Sequence, residues 1–299
     1  MKKKLLMFLL MGHALAANAG EADVNRAALK LDQDITNSVF KPNSSPKLHS
    51  SIALIYDEKS QRSLYTKKAD DIAPIASITK LMTAMVVLDA KLPLNADISI
   101  DVADMDTLKG THSRLGIGMT FTRSEMLKMA LMASENRAAA ALARTYPGGT
   151  AAAVAAMNAK ARELGMKDTR FLDPTGLNSD NVSTARDLVK MVAAARSYSL
   201  IHQYTTTASH SVEGWRGREI RFNNTNPLVK NASWDIGVSK TGFINEAGRC
   251  LVMEAKISQR PVIIVLLDSW GKSTRIGDAN RIKKWMESAN TRGRSTRRG

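Results

Sequence analysis

Ser77 and Lys80 stand three positions apart in PIASITKLMTAMVVL, residues 74–88, where an apolar run begins. Residues so spaced on a helix share a face, which brings a hydroxyl and an amine within hydrogen-bond reach. At a helix N-terminus the unpaired backbone N–H groups also offer donors to an oxyanion. A serine hydroxyl is a weak nucleophile until a base takes its proton, and a lysine with an ordinary pKa of about 10.4 is protonated at neutral pH. Lys80 can act as that base only if burial or a second cation lowers its pKa toward about 7 to 8. Read structurally, the same two residues are a helix-capping serine and a solvated lysine.

The Ser-x-x-Lys spacing recurs at Ser38/Lys41, Ser44/Lys47 and Ser269/Lys272, but only Ser77 opens a long apolar segment. A second group, Ser134 to Asn136 (SEN), lies between the apolar MLKMALMA and a run of alanines. A hydroxyl there can relay a proton toward a leaving amine, while the Asn136 amide can donate to a carbonyl and accept from an N–H. Ser-x-Asn also occurs at Ser179/Asn181 and Ser288/Asn290, so alone it decides nothing. The third group, Lys240-Thr241-Gly242, occurs once. On an edge strand beside a cleft, Lys240 would be the second cation and the Thr241 hydroxyl a ligand for a substrate carboxylate. Gly242 would let a substrate backbone come close. The N–H of Phe243 would complete an oxyanion hole with that of Ser77. The structural alternative is a solvated strand lysine and a glycine kept for packing.

Elements of both types are needed to position these groups. SIALIYD and RSLYTKK, joined through EKSQ, read as a hairpin beginning near Ser50, after which Pro74 leads into the opening helix. Thr122 and Glu125 form a capping-box pattern ahead of an apolar run, and TAAAVAAMNAKARELG reads as an alanine-rich helix. WDIGVSKTGF, GRCLVMEAKI and RPVIIVLLD read as strands, and GDANRIKKWMESA as a closing helix. Strands at both ends with helices between predict an α/β (α+β) body: one sheet drawn from both chain ends, a helical lobe inserted in the middle, and a cleft between them.

Met-Lys-Lys-Lys, an apolar run from Leu5 to Leu15 and a terminal Ala-Asn-Ala mark residues 1–19 as a secretory signal. Residues 20–49 read as a connector, 50–290 as the catalytic domain and 291–299, rich in arginine, as a basic disordered tail. The apolar runs are too short to span a bilayer, so no transmembrane anchor is expected. The formal charge is +15. A field of that sign suits anionic polymers such as bacterial cell wall, or anionic lipid surfaces, outside the cytoplasm. It would also bind nucleic acid weakly and without specificity, but no recognition-helix pattern or interleaved aromatics support a specific nucleic-acid partner. Cys250 is the single cysteine, so no internal disulfide forms; its alternating context reads as a small buried hydrophobe. Of the five histidines, His13 lies in the signal, and His49, His112, His202 and His210 show no His-Glu-x-x-His spacing. No metal or other cofactor is implied.

Taken in chain order, SITK, SEN and KTG resemble the signature of the penicillin-recognising serine D,D-peptidases and the related β-lactamases. The likeness runs from about Ser50 to Glu287. LGMKDTRFLDPTGLN and STARDL resemble the low-molecular-mass penicillin-binding class, peptidase family S11, rather than class A β-lactamases. PIASITKLMTAMVVLDAKLPL, SENRAAAALARTYPGG and KTGFINEAGRCLVM are most similar to the D-alanyl-D-alanine endopeptidase branch of the Gram-negative periplasm. That resemblance implies a β-lactamase-like fold, with Ser77 as acyl-ester nucleophile, Lys80 as proton acceptor and Ser134 completing the catalytic group. It implies that Asn136, Lys240 and Thr241 hold the substrate, that peptidoglycan stem-peptide cross-links are cleaved, and that β-lactams acylate the enzyme. Carboxypeptidases of the class commonly add a β-rich domain and an amphipathic anchoring helix. The short arginine-rich end after Trp285 matches neither, so a soluble, single-domain endopeptidase is expected. The alternatives are a D-alanyl-D-alanine carboxypeptidase using the same residues and a non-catalytic wall-binding scaffold.

Overall fold

The computed structural model describes residues 44–295. The expected signal, the connector up to residue 43 and the last four residues of the tail lie outside the described residues. In chain order the elements are β1 (Ile52–Asp57), β2 (Arg62–Lys67), β3 (Ala73–Pro74), α1 (Thr79–Asp89), β4 (Asp97–Ser99), β5 (Thr120–Thr122), α2 (Arg123–Met132), α3 (Asn136–Arg144) and α4 (Gly149–Glu163). They continue with β6 (Val182–Ser183), α5 (Ala185–Ala195), α6 (Ser199–Thr206), β7 (Ser209–Glu213), β8 (Glu219–Asn223), β9 (Asp235–Ile244), β10 (Gly248–Ile257), β11 (Arg260–Ser269) and α7 (Thr274–Ser295).

One five-stranded antiparallel sheet, ordered β2-β1-β11-β10-β9, joins the two ends of the body. Successive strand residues point to opposite faces, so a run with no exposed position must be covered on both sides. Cys250 to Ala255 in β10 and Val262 to Leu267 in β11 are such runs. Val252, Ile263, Val265 and Leu267 join a core shared with Leu188, Met191 and Val192 of α5. The alternate residues Leu251, Met253, Ile264 and Leu266 are equally buried, and α7 packs on the same two strands. At the outer edge, β9 pairs only with β10, in register Lys240 to Val252 and Gly242 to Cys250. Cys250 is wholly buried, and burial pushes its thiol up to about 12, in line with the packing role.

The inserted segment is helical. The capping box forms as the pattern predicts: the Thr122 hydroxyl accepts from Glu125 N–H at 3.2 Å and the Glu125 carboxylate accepts from Thr122 N–H at 2.9 Å. The apolar run it opens breaks at Ala133 to Glu135, which separates α2 from α3.

Three expectations need correction. Pro74 does not lead directly into the opening helix; it pairs with Val182 in the short β3–β6 ladder, and a 3-10 turn, Ala76–Ile78, comes before α1. Ser77 does not cap α1, since it sits in a 3-10 turn, Ala76–Ile78, ahead of that helix, and no side chain caps α1. The closing helix runs on to Ser295, so residues 291–295 of the tail read as disordered are helical. The β7–β8 hairpin was not anticipated. Only Val212 and Phe222 of its ten residues are buried, too few for an alternating pattern to stand out.

A buried carboxylate clasps the two ends of the body. Asp278 of α7 accepts from Ser50 N–H at 2.7 Å, Ser50 Oγ at 2.6 Å and His49 N–H at 3.0 Å, and pairs with Arg281. Burial alone would raise its pKa, but the bonds from Ser50, His49 and Arg281 outweigh it and hold the group below the usual value. Asp278→Ala leaves the buried N–H of Ser50 unpaired, its hydroxyl keeping the bond to Ser269 Oγ, and should lower the unfolding free energy at pH 7 by about 3 kcal/mol, measured by urea denaturation. Because the folded pKa is depressed, this stabilisation is present above the unfolded value of about 3.9 and fades as pH falls through the folded one. The gap between wild type and variant should therefore close in acid.

Candidate active site

Lys80 projects from the first turn of α1 into the protein and is 1% exposed. Its Nζ lies 2.7 Å from Ser77 Oγ, 2.7 Å from Asn136 Oδ1 and 2.6 Å from the Thr175 carbonyl oxygen. Three acceptors account for the three N–H bonds of an ammonium; in the neutral amine the lone pair can instead accept the Ser77 proton. Burial pushes the Lys80 pKa down to about 7, and the negative charges of Asp173, Glu135 and Asp106 keep it from falling further.

Lys240, also 1% exposed, enters from the edge strand β9. Its Nζ donates to Ser134 Oγ at 2.8 Å and to its neighbour's carbonyl, Thr241 O, at 3.0 Å. Its pKa lies well below the ordinary lysine value, through burial first and then the positive charges of Lys80 and Arg275. Each serine hydroxyl is thus bonded to its own buried amine. Thr241 Oγ1 donates to Thr225 Oγ1 at 2.6 Å, just beyond β8.

Backbone geometry holds these groups in place. Ala76, immediately before Ser77, has φ +47°, and Ser134 has φ +61°, both in the left-handed region that side chains disfavour. Such strain concentrates at functional sites and persists only where the surroundings fix it. Around Ser77 the surroundings are two glycines. A Cβ on Gly176, itself at φ +82°, would come within 1.9 Å of Ala76 O and 2.8 Å of Ser77 N. One on Gly242 would reach 2.8 Å from Ile75 O and 3.2 Å from Ser77 N. Gly242 therefore brings β9 against the Ser77 backbone, with Phe243 the next residue along; the Phe243 ring is half exposed, with the Arg249 guanidinium 4.4 Å above it.

Two loops supply the rest, and neither was singled out as part of the site from sequence. Asp173 accepts from Thr175 Oγ1 at 2.7 Å, Gly176 N–H at 2.7 Å and Asn181 Nδ2 at 2.8 Å, which fixes the carbonyl of Thr175 on Lys80. Asp106 accepts from Leu108 N–H, Lys109 N–H and Thr111 N–H at 2.8 to 2.9 Å; Thr111 Oγ1 in turn accepts from Asn136 Nδ2 at 3.0 Å. Lys109 pairs with Glu246 at 2.5 Å, joining this loop to the β9–β10 turn. The signal was present in each case, an aspartate followed within five residues by Thr and Gly, the composition of a self-bonded loop. Arg275 was also missed. It is buried at the start of α7 with Nε and one terminal nitrogen unpartnered among the described residues, and its charge acts on Lys240.

Of the positions singled out in the sequence, Ser77, Lys80 and Asn136 meet at one amine, Ser134 meets Lys240, and Gly242, next to Thr241, lies against the Ser77 backbone. Of the histidines, His210 is partly buried with Nε2 unpartnered, and burial lowers its pKa. Among the described residues no cluster of three or more His, Cys, Asp or Glu could hold a metal.

Comparison with known proteins agrees with this geometry. A family model described as D-alanyl-D-alanine carboxypeptidase, peptidase S11, matches residues 39–271. The chain is 45% identical over 292 residues to a D-alanyl-D-alanine endopeptidase of Pseudomonas aeruginosa, covering 96% of this chain and 89% of that one. It is 48% identical over 248 residues to a D-alanyl-D-alanine endopeptidase of Escherichia coli, covering 82% and 79%. Among solved structures, the Streptomyces K15 DD-transpeptidase superposes with a TM-score of 0.75 at 29% identity, over 82% of this chain and 99% of that one. A serine that follows a strained alanine and is bonded to a buried lysine, a second serine–lysine pair, and likeness along nearly the whole described body place this chain in the S11 family of serine D,D-peptidases.

Proposed function

We propose that the protein is a serine D-alanyl-D-alanine endopeptidase that hydrolyses peptidoglycan cross-links. The observation that carries this reading is the amine of Lys80, buried, 2.7 Å from Ser77 Oγ and with its pKa near 7. At that pKa about half the amine is free base at neutral pH, against roughly one part in a thousand for an ordinary lysine. Relatives at 48%, 45% and 38% identity carry the endopeptidase name, while others at 32% and 34% are named carboxypeptidases.

In the proposed cycle Lys80 takes the Ser77 proton as Oγ bonds to the carbonyl carbon of the D-alanyl residue. The oxyanion lies between the N–H groups of Ser77 and Phe243, which Gly242 allows to approach it. As the C–N bond breaks, the leaving nitrogen takes the proton of the Ser134 hydroxyl, and the proton held by Lys80 replaces it by way of Lys240, so that Lys80 is again a free amine. The amine-bearing stem peptide departs and leaves an ester on Ser77. Water then gives a proton to Lys80 and its oxygen to the acyl carbon, and the ester oxygen recovers its proton. Asn136, Lys240 and Thr241 hold the substrate: the Asn136 amide reads the peptide, and the Thr241 hydroxyl and nearby cations suit a carboxylate on the leaving stem. β-Lactams, as cyclic acyl donors, would esterify the same oxygen. The expected signal favours work in the periplasm, and among the described residues no helix is long and apolar enough to cross a membrane.

Ser77→Ala should abolish both covalent labelling by a fluorescent penicillin and cleavage of cross-linked muropeptides. Digestion of cross-linked dimers beside monomeric pentapeptides separates endopeptidase from carboxypeptidase; loss of D-alanine from the pentapeptide alone would reverse the assignment. The acylation rate should rise about tenfold per pH unit below pH 7 and level off above it, as the amine of Lys80 loses its proton. A rate that stays flat from pH 5 to 9 would remove Lys80 as the base.

A further inference from the structure

The β7–β8 hairpin forms a second concave surface beside the catalytic cleft. Its turn carries Trp215, 56% exposed, whose indole rests on the backbone of a neighbouring loop. A Cβ at Gly116 would meet the indole Nε1 at 2.6 Å and one at Gly118 would meet the ring at 3.4 Å, so the two glycines make the seat for it. Trp215, Met119 and Ile220 line a groove of about 550 Å³, together with Arg114, Arg218 and Arg221. Glu219 is the single acidic residue in that lining.

The arginines are not occupied in the same way. Arg114 stacks over the Phe222 ring at 4.2 Å and donates to the carbonyl of Arg221, which fixes it as part of the wall. The side chains of Arg218 and Arg221 form no hydrogen bond or ion pair among the described residues, and both are exposed. Free guanidinium forks are matched to carboxylates, and an indole face beside them covers apolar chain.

The groove is tied to the catalytic cleft by two short chain segments. Thr111, bonded to Asn136, lies three residues before Arg114, and Thr225, bonded to Thr241, lies four residues after Arg221. An extended chain spans at most about 3.6 Å per residue, so the Cα atoms of Arg114 and Arg221 lie within roughly 15 Å of those of Thr111 and Thr225. A peptide of four or five residues covers that distance.

We propose that this groove is a secondary subsite for a carboxylate-bearing peptide, the part of a cross-linked stem peptide that lies beyond the bond being cut. The proposal rests on the endopeptidase reading and adds a residue-level basis for preferring a long acidic substrate over a small acyl donor. Arg218 and Arg221 would hold the carboxylates and Trp215 the intervening apolar chain.

The test uses the full-length chain with Arg218→Glu and Arg221→Glu together, and separately Trp215→Ala. Labelling by a fluorescent penicillin, which needs only the Ser77 site, should stay within about twofold of wild type and report an intact fold. Binding of soluble cross-linked muropeptides is measured in the non-cleaving Ser77→Ala background, so it does not depend on the chemistry. There the double charge reversal should weaken affinity by about tenfold or more, and muropeptides with amidated carboxylates should bind both forms equally and weakly. Unchanged affinity, an equal loss for amidated muropeptides, or an equal loss for duplex DNA or anionic lipid vesicles would each overturn the proposal. Failure of the wild type to cleave dimers that it binds would instead count against the endopeptidase reading.

Discussion

The site depends on what it takes to bury an amine. A lysine ammonium removed from water is strongly destabilised unless acceptors surround it, and otherwise it gives up its proton. Lys80 is held between those outcomes. Ser77, Asn136 and Thr175 supply acceptors from the turn before α1, the start of α3 and the loop after Pro174. Three carboxylates farther off oppose the loss of the proton without contacting the amine. Burial favours the neutral amine and the three carboxylates favour the charged one, and the two effects meet near pH 7. A pKa near 7 requires both halves of the chain to be folded onto the same point.

That requirement explains why the strained backbone is tolerated. Ala76 and Ser134 occupy left-handed conformations that cost on the order of 1 to 3 kcal/mol each. Ala76 precedes Ser77, and Ser134 itself carries the second hydroxyl. Ser77 is wedged between the loop at Gly176 and the strand at Gly242. Ser134 closes the break between α2 and α3, with Thr225 N–H bonded to Met132 O just before it. The five-stranded sheet, buried on both faces through β10 and β11, is the rigid body against which this local cost is set.

Much of this was legible in the sequence, for physical reasons that differ by element. β10 and β11 were readable to within a residue because fully covered strands are near-continuous apolar runs. The capping box at Thr122 was readable because both its partners are side chains of fixed spacing. The side chains proposed for catalysis stood out as types, since only a few residue types can exchange protons near neutral pH. What could not be read were the contributions of the backbone. The carbonyl of Thr175 has no signature in its own side chain, and the strain at Ala76 arises from a loop a hundred residues away. Arg275 did leave a trace: a cation in the first turn of a helix opposes the helix dipole, and such a misplaced charge marks a position kept for another reason. The β7–β8 hairpin left none, because it stands outside the core.

The two buried amines also act on each other, which bears on how a single site serves as base and acid in turn. Interacting groups release protons in steps that belong to the pair, not to either member. In the proposed cycle the Ser77 proton arrives on Lys80, and the charge that appears there lowers the pKa of Lys240 further, in the same direction as its burial and the field of Arg275. Lys240 is bonded to Ser134, and Ser134 is the group set to protonate the leaving nitrogen. Accepting a proton on one side of the cleft thus makes a proton easier to give on the other. The coupling needs no motion, only two amines close enough to repel and a pocket dry enough for the repulsion to matter. In the proposed deacylation Lys80, neutral again, takes the proton of water and returns it to the Ser77 oxygen, so the amine that opens the first half of the cycle also completes the second.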